Sequence, residues 1–361
     1  MNKTIAFAAV TALFAGPTVA ETLTMSSWVP PTHFVHTDIL VPYAESISEA
    51  TEGRVTVTIL PAPLATPQQH WELARGGIAD ITWGNFTYEP ERFVPLWFAE
   101  FPGAGTNATA QSVALWQTFD EEMRDLPAFD GVKVLGVGMF GGGQLHHGDQ
   151  TIVAPEQLQG QKFRMGGPIQ EKLLTGLGAV PVAAPASKAY ELLESGVIDG
   201  SLHTMESVVN FRLEESLMHH TIFPDGFYDA TFFIAMNGGR WAGLSEQDRA
   251  AIAEISGEVL SGNWGAAFDE QNPAAHEALT SAGHEIVQAS PELIAAVDEV
   301  TDRMVADWAE AARAAGVAEP EALMQGYQAR YNALISKRQD AEPGFCARRP
   351  ASRERMPPWN A

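Results

Sequence analysis

Pro155–Glu206 reads PEQLQGQKFRMGGPIQEKLLTGLGAVPVAAPASKAYELLESGVIDGSLHTME. Its spacing predicts strand, helix, strand, helix, strand, the repeat of a parallel sheet with right-handed crossovers. The first of these strands ends at Arg164. A guanidinium held at a strand end and turned into a cleft offers a planar, two-pronged donor suited to a carboxylate. Taken singly, an arginine is far more often an exposed ion-pair partner. The rest of the chain decides between the two.

The same order of elements occurs upstream. Glu21–Ser27 alternates like a strand and stops at Pro30-Pro31. His36–Ala50 has helical spacing, and Arg54–Leu60 alternates again. Thr66-Pro67 opens a helix that ends at Gly76-Gly77, before a strand over Ala79–Trp83. The two units also share a local pattern. Trp71–Asp80 (WELARGGIAD) aligns with Tyr190–Asp199 (YELLESGVID), each a helix end, a glycine stop and a strand. Two similar lobes facing one another are expected, with a ligand beyond the carboxyl ends of the strands. Trp28, Trp83 with Asn85, the segment Gly141–His147, Arg164 and His203 stand at those ends.

Between and after the units the chain predicts a helix over Ala108–Phe119, a strand over Val132–Val137, and an apolar strand over Ala230–Ala235 that returns to the first sheet. A helix capped by Ser245 runs past Trp264 and Phe268 to Pro273, which should end or kink it. Further helices start at Pro291 and Pro320. Beyond Gln339 apolar periodicity vanishes and arginines cluster, the pattern of a disordered tail.

Composition narrows the function. The 361 residues are enough for two cores, and 45% hydrophobic with 19% charged residues describes a globular chain. Residues 1–20 combine Lys3, an apolar run and Thr18-Val19-Ala20, the pattern of a cleaved export signal. Its removal leaves 21 basic against 45 acidic residues. Such a surface repels nucleic acid and anionic lipid, so an anionic ligand needs a local cation. Cys346 stands alone, which excludes an intrachain disulfide and a cysteine metal cluster.

Gly136–Gly141 matches G-x-G-x-x-G, but Gly142, Gly143 and His146-His147 forbid the helix that a dinucleotide loop must open. A strand crossing between lobes explains these glycines better. His146-His147 and His219-His220 are adjacent pairs whose members point to opposite faces of a strand, and no helix-spaced metal motif occurs. No cofactor is therefore expected. Trp28, Trp83, Phe86 and Phe140 all follow strand ends, which suggests an aromatic-walled pocket.

Several stretches together resemble the solute-binding proteins of tripartite ATP-independent periplasmic (TRAP) transporters, the DctP-type family. They are Trp28–His33 (WVPPTH), Leu158–Arg164 (LQGQKFR), Leu177–Val182 (LGAVPV), Tyr190–Gly200 (YELLESGVIDG) and Leu244–Ile252 (LSEQDRAAI). The resemblance covers residues 21–335 in order. It implies an α/β fold of the two-lobe, type II-like periplasmic binding class, each lobe a mixed sheet flanked by helices. Crossing strands and a long helix would join the lobes. Lobe I would comprise 21–141 plus 230–268, and lobe II 142–229 plus 269–337, with 338–361 as the tail.

The resemblance places the ligand carboxylate on Arg164, maps Asn85 to the position after the third strand, and puts His203 where a polar residue follows Asp199-Gly200. A second arginine common in such proteins falls near Gln144 and is absent. The expected site is thus Arg164, walls of Trp28, Trp83 and Phe140, and hydrogen bonds from Asn85, Gln144 and His203, with Glu206 closing the stretch. One arginine supports one carboxylate, because a second desolvated charge would lack a partner. The expected ligand is a monocarboxylate, aromatic, keto or hydroxy acid, delivered in the periplasm by a monomer to a TRAP permease. A periplasmic metal-assisted hydrolase or lyase using the histidines, and an orphan binding protein feeding a sensor, are the competing readings.

Overall fold

The protein is described by a computed structural model over residues 20–341. The expected signal peptide, apart from Ala20, lies outside the described residues. So does the tail from 342 onward, while 338–341 continue the last helix.

In chain order the first unit is β1 (Glu21–Ser26), α1 (Val41–Ala50), β2 (Val55–Ile59), α2 (His70–Arg75) and β3 (Ile81–Asn85). Helix α3 (Ala108–Thr118) and β4 (Val132–Met139) follow. The chain then crosses to β5 (Gln144–His147) and the second unit: β6 (Lys162–Met165), α4 (Pro168–Gly176), β7 (Val180–Ala183), α5 (Ala189–Glu194) and β8 (Gly200–His203). After α6 (Met205–Asn210) and β9 (His219–Ile222) it crosses back to β10 (Thr231–Asn237). The remaining elements are α7 (Gly238–Gly243), α8 (Glu246–Ile255), α9 (Glu258–Ser281), β11 (Glu285–Gln288), α10 (Pro291–Ala314) and α11 (Pro320–Ala341).

There are two sheets, ordered β2-β1-β3-β10-β4 and β11-β9-β5-β8-β6-β7. β1 is parallel to β2 and β3, and β6 is parallel to β7 and β8. Each parallel trio is joined by an antiparallel crossing strand, β10 beside β3 and β5 beside β8. Both sheets are therefore mixed, as expected. The repeated decapeptide is a repeated structure too. Ile78 N–H donates to Leu73 O, and Val197 N–H donates to Leu192 O, each just after a left-handed glycine, Gly77 at φ 69° and Gly196 at φ 66°. Asp80 then accepts from Thr24 N–H of β1, and Asp199 from Lys162 N–H of β6, both at 2.7 Å. Each aspartate ties its own strand to the neighbouring one.

Three sequence expectations need correction. The helix begun at Ser245 stops at Ile255 and restarts at Glu258, because Gly257 N–H turns to donate to Leu135 O at 2.6 Å. Pro273 does not end α9. Trp264 and Phe268 bury the helix before it, while Ala275 and Leu279 bury it after, and this packing outweighs the lost backbone bond. Finally, α11 lies against α3, with Arg330 paired to Glu121 and Glu122, so residues 320–337 sit beside the first sheet's layer. The glycine pattern of β4 also has a packing cause, since a Cβ on Gly138 would stand 2.3 Å from the Trp264 ring of α9.

Candidate ligand-binding site

The strands of both parallel trios point their carboxyl ends at one cleft, and a cavity of about 60 Å³ lies there. Seven of the eight expected residues line it: Trp28, Trp83, Asn85 and Phe140 from the first-sheet side, Arg164, His203 and Glu206 from the second.

Arg164 is 4% exposed. Its Nε donates to Ala184 O at 2.8 Å, and Nη1 donates to Leu202 O at 3.1 Å. Main-chain carbonyls thus fix the fork in place, yet no ion pair neutralises it among the described residues. A buried charge without a counter-ion is unstable unless an anion completes it. Met165 and Gly166 follow directly, so the strand end itself sets where the fork can reach.

The neighbouring acid does not fill that role. Glu206 accepts from Thr204 Oγ1 (2.7 Å) and Ser207 Oγ (2.6 Å) through one oxygen, and from Asn210 Nδ2 (3.1 Å) through the other. Burial raises its pKa against the pull of these donors. His203 moves the opposite way. Burial first, then the Arg164 cation and His146, hold it well below the usual histidine range, so its ring is neutral. Its Nε2 is buried and has no partner in the protein.

Aromatic rings form the rest. Trp28 stacks on Trp83 (4.7 Å between centroids, 22°) and lies parallel to Phe211 of the opposite side (6.4 Å, 5°). Trp83 is anchored by donating Nε1–H to Ser27 Oγ at 3.0 Å. Phe140 meets Tyr228 edge to face at 5.5 Å. Asn85 uses its amide oxygen to accept from Thr87 N–H at 2.8 Å and from Thr87 Oγ1, capping the short turn of Phe86–Tyr88. From that turn Tyr88 Oη reaches across to accept from Ala186 N–H at 3.1 Å.

Gln144 is not in the cavity. Its Oε1 accepts from Phe223 N–H at 2.7 Å, so the side chain completes the backbone beside β9. Phe86 also departs from expectation, packing into the first core against Phe93 at 4.6 Å because the turn after Asn85 directs it inward. Sequence reasoning missed His33, Tyr88 and Phe211 as lining residues. His33 belongs to the WVPPTH stretch and Tyr88 to the loop of Asn85, so proximity in sequence was a usable signal. Phe211 carried none, following a six-residue helix rather than a strand.

Behind each wall lies a group of buried titratable residues. Near the crossing, Asp229 accepts from Phe140, Gly142 and Ala230 N–H, and Glu100 accepts from Thr87 and Thr231. Burial pushes both acids up to about 7. In the second sheet His146 Nδ1 lies 2.7 Å from His220 Nδ1, and His220 Nε2 lies 2.9 Å from His284 Nδ1. His146 Nε2 donates to His203 O at 3.0 Å. Burial lowers His146 to about 4 and His220 to about 2. Among the described residues no group of three or more His, Cys, Asp or Glu is placed to hold a metal ion.

The fold has counterparts among known proteins. A TRAP periplasmic solute-binding protein of Bordetella bronchiseptica, with bound (R)- and (S)-mandelate, is 36% identical with a TM-score of 0.84, covering 87% of this chain and 99% of its own. A TRAP solute-binding protein of Rhodoferax ferrireducens, in complex with copurified benzoate, is 26% identical with a TM-score of 0.82, covering 88% and 99%. The outer membrane transporter protein TsaT of Comamonas testosteroni is 27% identical over 304 residues, 84% of this chain and 90% of its own. These are transport proteins that bind solutes, not enzymes, and TRAP binding proteins work with a membrane permease. The model of bacterial extracellular solute-binding protein family 7, DctP, matches residues 25–311, and the chain belongs to that family.

Proposed function

We propose that the protein captures a small aromatic monocarboxylate between its two lobes in the periplasm and delivers it, as a monomer, to a TRAP-type permease. The observation that carries this reading is Arg164, a buried guanidinium without a counter-ion at the edge of an aromatic cavity. The carboxylate takes the free face of the fork, and Trp28, Trp83 and Phe140 enclose the ring. His203 and the Asn85 amide nitrogen supply hydrogen bonds, and Glu206 orders the first turn of α6 beside them. No other arginine or lysine lines the cavity among the described residues, so a dicarboxylate would place its second charge against neutral rings and Glu206.

The lobes are the two sheet layers, joined by the crossings near 140–143 and 223–230 and by α9. Ligand favours closure by engaging both lobes at once, at the seam where Trp28 lies parallel to Phe211 and Tyr88 accepts from Ala186 N–H. Residues 1–20 direct export. The relatives that hold mandelate and benzoate support the ligand class. Calorimetric titration of the mature protein against a carboxylate panel tests it. Aromatic monocarboxylates are expected to bind at least about a hundredfold tighter than succinate or malate, the discrimination a buried unpaired charge imposes. The reverse order overturns the reading.

A further inference from the structure

The first-sheet wall carries two hydrogen-bond donors that the carboxylate on Arg164 does not account for. Trp28 Nε1 and His33 Nε2 are both buried, both belong to residues lining the cavity, and neither has a partner in the protein. An indole N–H can only donate. The His33 proton is located by its other nitrogen. Nδ1 accepts from Val35 N–H at 3.2 Å, so a neutral ring must carry hydrogen on Nε2. The ring is neutral, because burial lowers His33 to about 4. Both rings flank the same neighbour, Phe211, whose ring centroid lies 5.2 Å from that of His33 and 6.4 Å from that of Trp28.

Resting on the monocarboxylate reading, we infer that Trp28 Nε1–H and His33 Nε2–H read a second, uncharged oxygen on the ligand, which makes the ligand an aryl acid bearing a hydroxyl or carbonyl. Neutral donors in an apolar corner match a neutral acceptor, whereas a second carboxylate would need a cation there. An acid without that oxygen would bury both donors unpaired, and sites built to bond a ligand oxygen discriminate strongly against its absence. Selectivity thus divides between the walls: Arg164 selects for the acid, and Trp28 with His33 for the extra oxygen.

Matched pairs test this on the intact mature protein by calorimetry. Mandelate and phenylglyoxylate are compared with phenylacetate, and 3-hydroxybenzoate with benzoate, so that the arms separate an oxygen beside the carboxylate from one on the ring. The oxygenated member of at least one pair is expected to bind about thirtyfold or more tighter. Trp28→Phe and His33→Phe should reduce that ratio to within about threefold, read within each pair so that any loss of affinity common to both members cancels. Equal affinities within every pair in the wild-type protein overturn the inference, and that result needs no variant to fold. A ratio that survives both substitutions in variants with unchanged melting curves overturns it as well. If no aryl acid binds at all, the monocarboxylate reading falls and this inference with it.

Discussion

On the first-sheet wall of the cleft the polar lining groups, Trp28, His33 and Asn85, are neutral, whereas the second-sheet wall carries a full charge at Arg164. The groups behind the walls differ in the complementary sense. Buried acids Glu100 and Asp229 lie behind the neutral wall, and the uncharged histidines His146 and His220 lie behind the charged one. The imidazoles around the cation stay unprotonated, so no second positive charge stands beside it. On the proposed reading one wall supplies attraction and the other supplies shape and discrimination.

Removing the charge should break this division most severely. Arg164→Ala is expected to cost about 2–5 kcal/mol of binding, the effect of truncating one partner of a buried charge-assisted pair, so affinity falls at least about thirtyfold. Titration against the best aromatic acid measures it, and an affinity within about threefold of wild type would remove Arg164 from the site. Next comes the contact that spans the cleft. Phe211→Ala deletes the ring parallel to Trp28 and should weaken binding by about 1–2 kcal/mol, read in the same titration.

The buried groups behind the walls pull stability in opposite directions as pH changes, because their shifts have opposite sign. Asp229 is raised, so its contribution to stability is full below the ordinary carboxylate range near 4 and is lost as pH rises through about 7. His146 is lowered, so its contribution is full above about 6.5 and is lost as pH falls through about 4. The two windows overlap between about pH 4 and 6.5, where each group contributes a slope of up to about 1.4 kcal/mol per pH unit and the two slopes oppose. In denaturant titrations across that range Asp229→Asn should make stability rise more steeply with pH, and His146→Gln should make it rise less or fall. The smallest effect on binding belongs to Gln144. Gln144→Ala should leave ligand affinity within about twofold while lowering stability by about 1 kcal/mol, through the lost bond to Phe223 N–H.

What could be read in advance follows the same physical lines. The two parallel trios were legible because alternation and glycine stops repeat, down to the matched roles of Asp80 and Asp199. Arg164 was legible because a strand end fixes where a side chain goes. Short elements were not. β9 and β11 have four residues each, with polar or histidine positions that mask their pattern, so the partner of Gln144 could not be seen. Phe86 and Trp28 look alike in sequence, and only the capped turn after Asn85 sends one into the core and leaves the other at the cavity. The break at Gly257 depends on Leu135, more than a hundred residues away, which no local pattern encodes.

The stacked pair of Trp28 and Trp83 also makes the protein its own optical reporter. Their indoles lie 4.7 Å apart and both border the cavity, while Trp71, Trp264 and Trp308 are enclosed in cores. Filling the cavity changes the polarity around two fluorophores and leaves those three in the same environment. Emission intensity and wavelength should then follow occupancy without any label, so candidate ligands can be ranked by light alone.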